Sequence, residues 1–139
     1  MIPGQINRHR LWLRKRTLAC GTWNVQGISG KLVEVVKEID SLEMDIVILN
    51  ETKKKGKGQE LIGNYIHFWS GVPKSERAKS GVAVLIKKKW KSGIIDWKEI
   101  SDRIIHITIR IYESMVDVIG VYAPNNDASC DEKRAFMMI

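Results

Sequence analysis

Residues 45–52, with the sequence DIVILNET, join a continuous apolar run to an abrupt polar end. The run is short and rich in β-branched side chains, which predicts a strand that is buried on both faces. The polar triplet that follows places Glu51 where that strand ends. This stretch therefore predicts a central strand of a sheet with a carboxylate on its rim.

The preceding residues predict a strand and a helix that lead into it. Residues 17–25 (TLACGTWNV) are apolar, rich in strand-forming side chains and followed closely by Gly27, as expected of a strand. Apolar residues then recur at three- and four-residue spacing, which predicts a helix over about 29–43 with Ser29 as its N-cap. Strand, helix and strand together favour a βαβ-like opening.

The rest of the chain is predicted to be mostly strands. Isoleucines at alternate positions from 105 to 111 have the period of a half-buried strand. The other assignments are loops at 52–60 and 71–80, strands at 65–70, 81–86 and 116–122, a basic turn at 87–91, a hairpin turn at 113–114 and a helix begun at 129–136. These elements predict an α/β fold with a largely antiparallel, mixed sheet arrangement. Because the chain stops inside the last helix, we expect an incomplete fold.

Composition narrows the class of protein. The chain has 139 residues, of which 44% are hydrophobic and 28% charged, and this indicates a globular domain or part of one. Its net charge of +7 favours a polyanionic partner such as nucleic acid. Its two cysteines, Cys20 and Cys130, form no CxxC pair, so neither a disulfide framework nor a zinc site is expected. No apolar run of about 18 residues indicates a membrane span.

The first sixteen residues are strongly basic and are interpreted as a leader before the domain at 17–139. Two readings of residues 1–16 remain open. They could contact phosphates, or they could be a frayed, solvated arm, which is the reading that we favour.

Polar residues follow three of the predicted strands. Asn24 ends the first, Glu51 ends the buried strand, and Tyr122 and Asn125 end the last. A carboxylate at a strand end suits Mg²⁺, which takes one or two carboxylates along with water and phosphate oxygens. The asparagines could orient a phosphate, and Tyr122 could donate a hydrogen bond to a phosphoryl oxygen. Each residue also has an ordinary structural explanation, as a turn former, a solvated carboxylate or a core tyrosine.

Four ordered motifs resemble the endonuclease/exonuclease/phosphatase superfamily, over about residues 18–136. They are TWNVQG at 22–27, DIVILNET at 45–52, SGVAVLI at 80–86 and VYAPN at 121–125. The resemblance implies a DNase I-like, four-layer α/β/β/α sandwich, present here in part. Gln26 stands where AP endonucleases often have aspartate, so the sequence is most similar to the LINE-type retrotransposon branch.

The same resemblance implies roles for the matching positions. Glu51 would bind Mg²⁺, or Mn²⁺ in its place, while Asn24 supports the metal and phosphate site. Tyr122 would contact the phosphate and Asn125 would position it. Arg103 lies near the place where the family often has an arginine that faces the substrate, and is a weaker candidate.

Two later motifs of the family, G-D-F-N and S-D-H, do not occur in this sequence. The resemblance assigns to them the groups that activate water. The expected function is therefore Mg²⁺-dependent phosphodiester hydrolysis by a retrotransposon-type DNA endonuclease, incomplete in these residues. The alternative is an inactive relic that at most binds nucleic acid without sequence preference.

Lysines and arginines in the two long loops are candidate contacts for DNA phosphates. The first loop contributes Lys53 and Lys54, and the second contributes Lys74 and Arg77. Such residues are also common in solvated turns. The triple-lysine runs are consistent with an intracellular, nuclear protein, and a monomer bound to DNA rather than to a membrane is expected.

Overall fold

The computed structural model describes residues 4–123, which form nine strands, one α-helix and one 3-10 helix. Asn125 and the helix predicted at 129–136 lie outside these residues. The helices are α1 (Leu32–Ser41) and the 3-10 helix Lys88–Gly93. The strands are β1 (Asn7–Leu13), β2 (Arg16–Asn24), β3 (Ile46–Asn50), β4 (Lys57–Ile62), β5 (Tyr65–Ser70), β6 (Val82–Lys87), β7 (Ile94–Ser101), β8 (Ile104–Ile111) and β9 (Ser114–Val121).

The strands form two sheets. Sheet A has six strands in the order β1-β2-β3-β6-β5-β4, and sheet B has three in the order β7-β8-β9. β2 and β3 run parallel, whereas the other paired strands of the described residues are antiparallel. The predicted mixed, largely antiparallel arrangement is confirmed.

Two apolar cores divide the molecule into three layers. The first core lies between the sheets and includes the inward-facing isoleucines of β8, from Ile105 to Ile111. The second lies between sheet A and α1, where Val35, Val36 and Ile39 are buried. β3 supplies Ile46 to one core and Val47 to the other, as expected of a strand that is buried on both faces. No helix among residues 4–123 has the length and apolar content needed to cross a membrane.

The helix begins later than the sequence predicted, and Ser29 is not its N-cap. The cap residue is Lys31, which provides no side-chain hydrogen bond to the first turn. The Lys31 N–H instead donates to the Ile28 carbonyl over 2.9 Å, and Gly30 between them is left-handed with φ 71°. This tight turn uses the residues from 28 to 31, so α1 starts only at Leu32.

A frayed arm is the wrong description of Asn7–Leu13. These residues pair with β2 along its length, from Asn7 beside Thr22 to Leu13 beside Arg16. Arg14 and Lys15 form the two-residue connection and are both left-handed, with φ 46° and 66°. Two-residue hairpin turns usually contain glycine or asparagine, so Arg14 and Lys15 do not indicate a turn by their residue type. The boundary proposed at residue 16 remains a prediction.

Other boundaries differ where strand pairing overrides local propensity. The predicted loop at 52–60 is wrong at its end, because β4 begins at Lys57 and pairs with β5 as the edge of sheet A. β7 was not predicted at all, and it carries bulges on both sides of its central residues. The hairpin turn between β8 and β9 is centred on Tyr112 and Glu113, one residue earlier than expected.

His67 is a buried titratable group in sheet A. Its side chain is fully buried, its Nδ1 lies 3.2 Å from Glu60 Oε1, and its Nε2 has no hydrogen-bond partner within the described structure. Burial lowers the pKa of His67 below 6.5, an effect that Lys54 reinforces and Glu60 opposes. At neutral pH we therefore expect an uncharged ring.

This burial predicts a loss of stability in acid. Below pH 6.5 the unfolded chain protonates His67 more readily than the folded chain does. The stability that the neutral, buried His67 contributes is therefore complete above that pH, and it is lost as the pH falls towards the pKa of the folded chain. Urea unfolding at several pH values from 7.5 to 5 gives the free energy of unfolding at each pH. This free energy should fall less steeply with decreasing pH in His67→Gln than in the parent chain. Equal slopes in the two proteins would contradict it.

Candidate metal and phosphate site

Main-chain hydrogen bonds continue the pairing of β2 and β3 beyond the ends of both strands. Val25 N–H donates to the Asn50 carbonyl over 3.1 Å, Gly27 to Glu51 over 2.7 Å, and Ile28 to Thr52 over 2.8 Å. The chain that leaves β2 is thereby attached to the chain that leaves β3. Asn24 and Glu51, which end neighbouring strands, lie on the same rim of sheet A.

The loop after β3 is also attached to β6. Thr52 N–H donates to the Gly81 carbonyl over 3.2 Å, and Lys53 N–H donates to the Ser80 carbonyl over 2.8 Å. Glu51 and Lys53 are both left-handed, with φ 57° and 56°. Non-glycine residues in this conformation cost of order 1–3 kcal/mol and occur preferentially at functional sites. The hydrogen bonds on both sides hold Glu51 in this conformation.

Glu51, Tyr122 and Arg103 form a contact cluster at this rim. The Glu51 carboxylate lies close enough to the Tyr122 phenol to act on it electrostatically. The Arg103 guanidinium lies over the Tyr122 ring, 5.3 Å from its centroid, and its Nη1 donates to the Tyr122 carbonyl over 3.2 Å. The side chain of Glu51 is 25% exposed, so it is open to solvent while held by protein groups.

The electrostatics of this cluster keep Tyr122 protonated at neutral pH. Burial raises the pKa of the phenol above its usual value of 10, and the Glu51 carboxylate raises it further, whereas Arg103 lowers it. The protonated phenol can donate to a carboxylate or to a phosphoryl oxygen. The group predicted to contact phosphate therefore has the protonation state that this contact needs.

Sheet B is attached to the rim by the turn that carries Arg103. Tyr122 N–H donates to the Arg103 carbonyl over 2.8 Å, and Gly81 N–H donates to the Asp102 carbonyl over 3.1 Å. Ser80 Oγ donates to Asp102 Oδ2 over 2.5 Å. Through this turn, the bonds connect the start of β6 in sheet A to the end of β9 in sheet B. They thereby bring Tyr122 to the rim that carries Glu51.

The two strand-end asparagines are placed differently. Asn24 is exposed, and its Oδ1 accepts a hydrogen bond from Gln26 N–H over 3.1 Å. This contact is the turn-forming role that was the ordinary structural explanation for Asn24. Asn50, which pairs with Asn24 in register, has a buried Oδ1 with no hydrogen-bond partner within the described structure. Sequence reasoning did not single out Asn50, although it directly precedes Glu51.

The predicted basic contacts separate into two groups. Lys53 Nζ lies 3.9 Å from Glu51 Oε1, within the cluster. Lys54 instead lies over the Trp69 ring, 4.6 Å from its centroid. Lys74 and Arg77 are exposed in the loop between β5 and β6. Of these four residues, only Lys53 is shown in contact with the cluster.

Residues 4–123 contain no group of three or more histidine, cysteine, aspartate or glutamate side chains placed to hold a metal ion. A cation at this rim would therefore have few protein ligands. The Glu51 carboxylate and the amide oxygen of Asn50, the residue before it, are both oxygens of the type that Mg²⁺ prefers. Asn125 lies outside the described residues.

A helix packed on one face of a mixed sheet, with a second sheet packed on the other, defines a DNase I-like α/β sandwich, present here in part. Solved structures share this fold. The catalytic domain of Xenopus laevis APE2 matches with a TM-score of 0.59 at 20% identity, covering 84% of this chain and 48% of that one. The 3′ phosphatase NExo from Neisseria bound to a product DNA hairpin matches with a TM-score of 0.58 at 24% identity, covering 86% and 46%.

The chain belongs to the endonuclease/exonuclease/phosphatase family, whose sequence model matches residues 21–136. Craniofacial development protein 2 of Bos taurus is 31% identical over 111 residues, which are 79% of this chain and 18% of that protein. A probable RNA-directed DNA polymerase from transposon X-element of Drosophila melanogaster is 35% identical over 65 residues, 47% of this chain and 7% of that protein. The chain thus spans less than a fifth of the length of these relatives.

Gly81 tests the coupling of the rim loops. It has φ 90°, and a Cβ built there would lie 2.5 Å from Thr52 Oγ1. Gly30 has φ 71° with nothing within 4 Å of such a Cβ, so it is the matched control. Gly30→Ala should cost about 1–2 kcal/mol of unfolding free energy from the left-handed conformation alone. Gly81→Ala should cost at least about 1 kcal/mol more, because Thr52 must move.

Denaturant unfolding of the two variants measures this difference. Equal losses would mean that the contact between the loops after β3 and before β6 does not constrain the rim.

Proposed function

We propose that this chain carries the metal- and phosphate-binding part of a Mg²⁺-dependent DNA endonuclease of the LINE-type retrotransposon kind. The observation that supports it most is the contact cluster of Glu51, Tyr122 and Arg103 on one rim of sheet A. This cluster joins an oxygen ligand, a protonated donor and a cationic group, which are the functions needed around a phosphodiester.

The donor set fits a hard divalent cation, and members of this family generally depend on a divalent metal. Glu51 would be the anionic ligand, and the unpartnered Asn50 Oδ1 would add a neutral oxygen. When bound, Mg²⁺ would polarise a phosphoryl oxygen and neutralise its charge, and Mn²⁺ would do the same. Lys53, 3.9 Å from Glu51, moderates the affinity by competing for the carboxylate.

The side chains around Glu51 would bind and orient the phosphate. Tyr122 donates from its phenol, and Arg103 fixes the plane of the Tyr122 ring by lying over it. Asn24 and Asn125 are assigned supporting contacts by family resemblance. Lys53, Lys54, Lys74 and Arg77 would extend the positive surface along the DNA backbone, which would make binding dependent on salt.

DNA is the proposed substrate for two reasons. The net charge of +7 favours a polyanion, and one structural neighbour is a 3′ phosphatase bound to a product DNA hairpin. The similarity to a transposon-encoded RNA-directed DNA polymerase supports the retrotransposon type. A monomer located in the nucleus is part of the same proposal.

The alternative function is nucleic-acid binding without catalysis. It is favoured by the absence of G-D-F-N and S-D-H from the sequence, since those motifs supply the groups that activate water in the family. Among residues 4–123, His9 lies on β1 opposite Cys20, His67 is buried, and His106 is hydrogen-bonded to Asp117 in sheet B, so none of these three histidines is in the rim cluster. Under this alternative the chain binds DNA but does not cleave it.

Metal binding by the 139-residue chain tests the site assignment. Electron paramagnetic resonance of added Mn²⁺ should reveal one site, and Glu51→Gln should weaken it by about tenfold or more, because the anionic ligand is lost. Glu43→Gln is the matched control, since Glu43 is exposed and also left-handed with φ 55°. Equal affinity in the parent chain and in Glu51→Gln would refute Glu51 as the ligand.

A plasmid-nicking assay then separates the two functions. Mg²⁺-dependent nicking that disappears in Glu51→Gln but persists in Glu43→Gln would exclude the inactive alternative. A Mn²⁺ site at Glu51 without nicking would support a binding half-site, and no Mn²⁺ site at all would remove the proposed function.

A further inference from the structure

β1 and the hairpin turn after it form a basic ribbon at the edge of sheet A. Six of the seven residues of β1 are exposed, and Leu13 alone is half-buried against the core between the sheets. Among residues 4–123, β1 is the outermost strand of sheet A, so one of its main-chain edges has no strand partner there. Edge strands of this kind are available for contact with another molecule.

The positive charge of this ribbon is not neutralised within the described structure. Arg8, Arg10, Arg14 and Lys15 have no ion-pair partner among residues 4–123. Arg16 lies over the Tyr112 ring, 5.1 Å from its centroid, and so is engaged with sheet B. The unpaired cations favour a polyanion.

Two arginines and a tryptophan share one face of the ribbon. Arg8, Arg10 and Trp12 alternate along β1 and pair with Gly21, Ala19 and Thr17 of β2, so neighbours on this face are about 7 Å apart. The Trp12 side chain is 70% exposed. Arg8 and Arg10 also line a groove of about 410 Å³ against Leu42 and Met44.

We propose that this face of β1 binds single-stranded nucleic acid, with Arg8 and Arg10 on phosphates and Trp12 stacked on a base. An exposed aromatic ring beside unpaired cations is the combination used for single strands, because an unpaired base presents a face on which to stack. A duplex presents its phosphates but not those faces. An acidic peptide would use the arginines but gains little from Trp12.

The position of β1 links this surface to the rim. Asn7 pairs with Thr22, two residues before Asn24, and β1 then runs away from the rim to Leu13 beside Arg16. A single strand that leaves the rim could therefore follow β1. Glu38 lines the adjacent groove together with Arg8.

Binding in EDTA tests the surface separately from the metal site. Fluorescence anisotropy with labelled 20-nucleotide dT and U strands should show affinity for at least one of them. The double variant Arg8→Gln/Arg10→Gln should lower the slope of log K against log salt by about 1.4, at about 0.7 for each lost phosphate contact. Trp12→Ala should weaken binding about tenfold, whereas Trp12→Phe should largely retain it.

Matched controls keep the result specific. Lys88→Gln/Lys91→Gln removes the same charge from exposed residues of the 3-10 helix and should leave the slope nearly unchanged. Arg8→Lys/Arg10→Lys keeps the charge and should keep the slope. Thermal unfolding of each variant checks that the hairpin is retained.

The proposal is overturned if neither single strand binds, if both charge-removing double variants reduce the slope equally, or if Trp12→Ala binds like the parent chain. Tighter binding of a 20-base-pair duplex or of polyglutamate than of either single strand, with the same dependence on Arg8 and Arg10, would also overturn it. Because no metal is present, none of these results bears on the Mn²⁺ site at Glu51.

Discussion

The parallel pairing of β2 with β3 is the constraint on which the rest of the structure depends. It aligns Cys20 with Ile46 and Asn24 with Asn50, and main-chain hydrogen bonds extend it through Glu51 and Thr52. A parallel pair needs a crossover, and α1 provides it while covering the outer face of sheet A. The same pairing therefore positions the helix, the sheet and the strand ends that carry the candidate site.

The rim combines a strained backbone with side chains of both charge signs. Glu51 is held left-handed between two sets of main-chain hydrogen bonds, and its carboxylate faces a phenol and a lysine. Arg103 lies over the Tyr122 ring and donates to the Tyr122 carbonyl. With one negative and two positive side chains, the cluster favours a phosphate, whereas a cation would have to compete with Lys53 for the Glu51 carboxylate.

Much of this arrangement could be predicted from the sequence, because apolar periodicity and strand-end polarity are local features. The buried strand β3, the alternation of β8 and the position of Glu51 at a strand end all follow from them. The edge strands β1 and β4 could not be predicted in this way. These two strands contain several charged or polar residues, and β4 also contains a glycine. They form strands because β2 and β5 provide hydrogen-bonding partners.

The contacts within the site were also beyond sequence reasoning. Nothing in the order of residues indicates that Arg103 lies over Tyr122, that Lys54 turns to Trp69 while Lys53 stays with Glu51, or that Asn50 Oδ1 is buried without a partner. Such contacts depend on how the two sheets pack. Family motifs indicated the candidate residues, and tertiary structure determines which of them meet.

The three tyrosines of the chain provide the most direct test of the central claim, that a cation binds at Glu51 beside Tyr122. Tyr65 is in the core under α1, Tyr112 is in a turn of sheet B, and Tyr122 is at the rim. In a chain with ¹³C-labelled tyrosine rings, small additions of Mn²⁺ should broaden the Tyr122 resonance selectively. Equal broadening of all three resonances, or broadening of Tyr65 or Tyr112 before Tyr122, would contradict it.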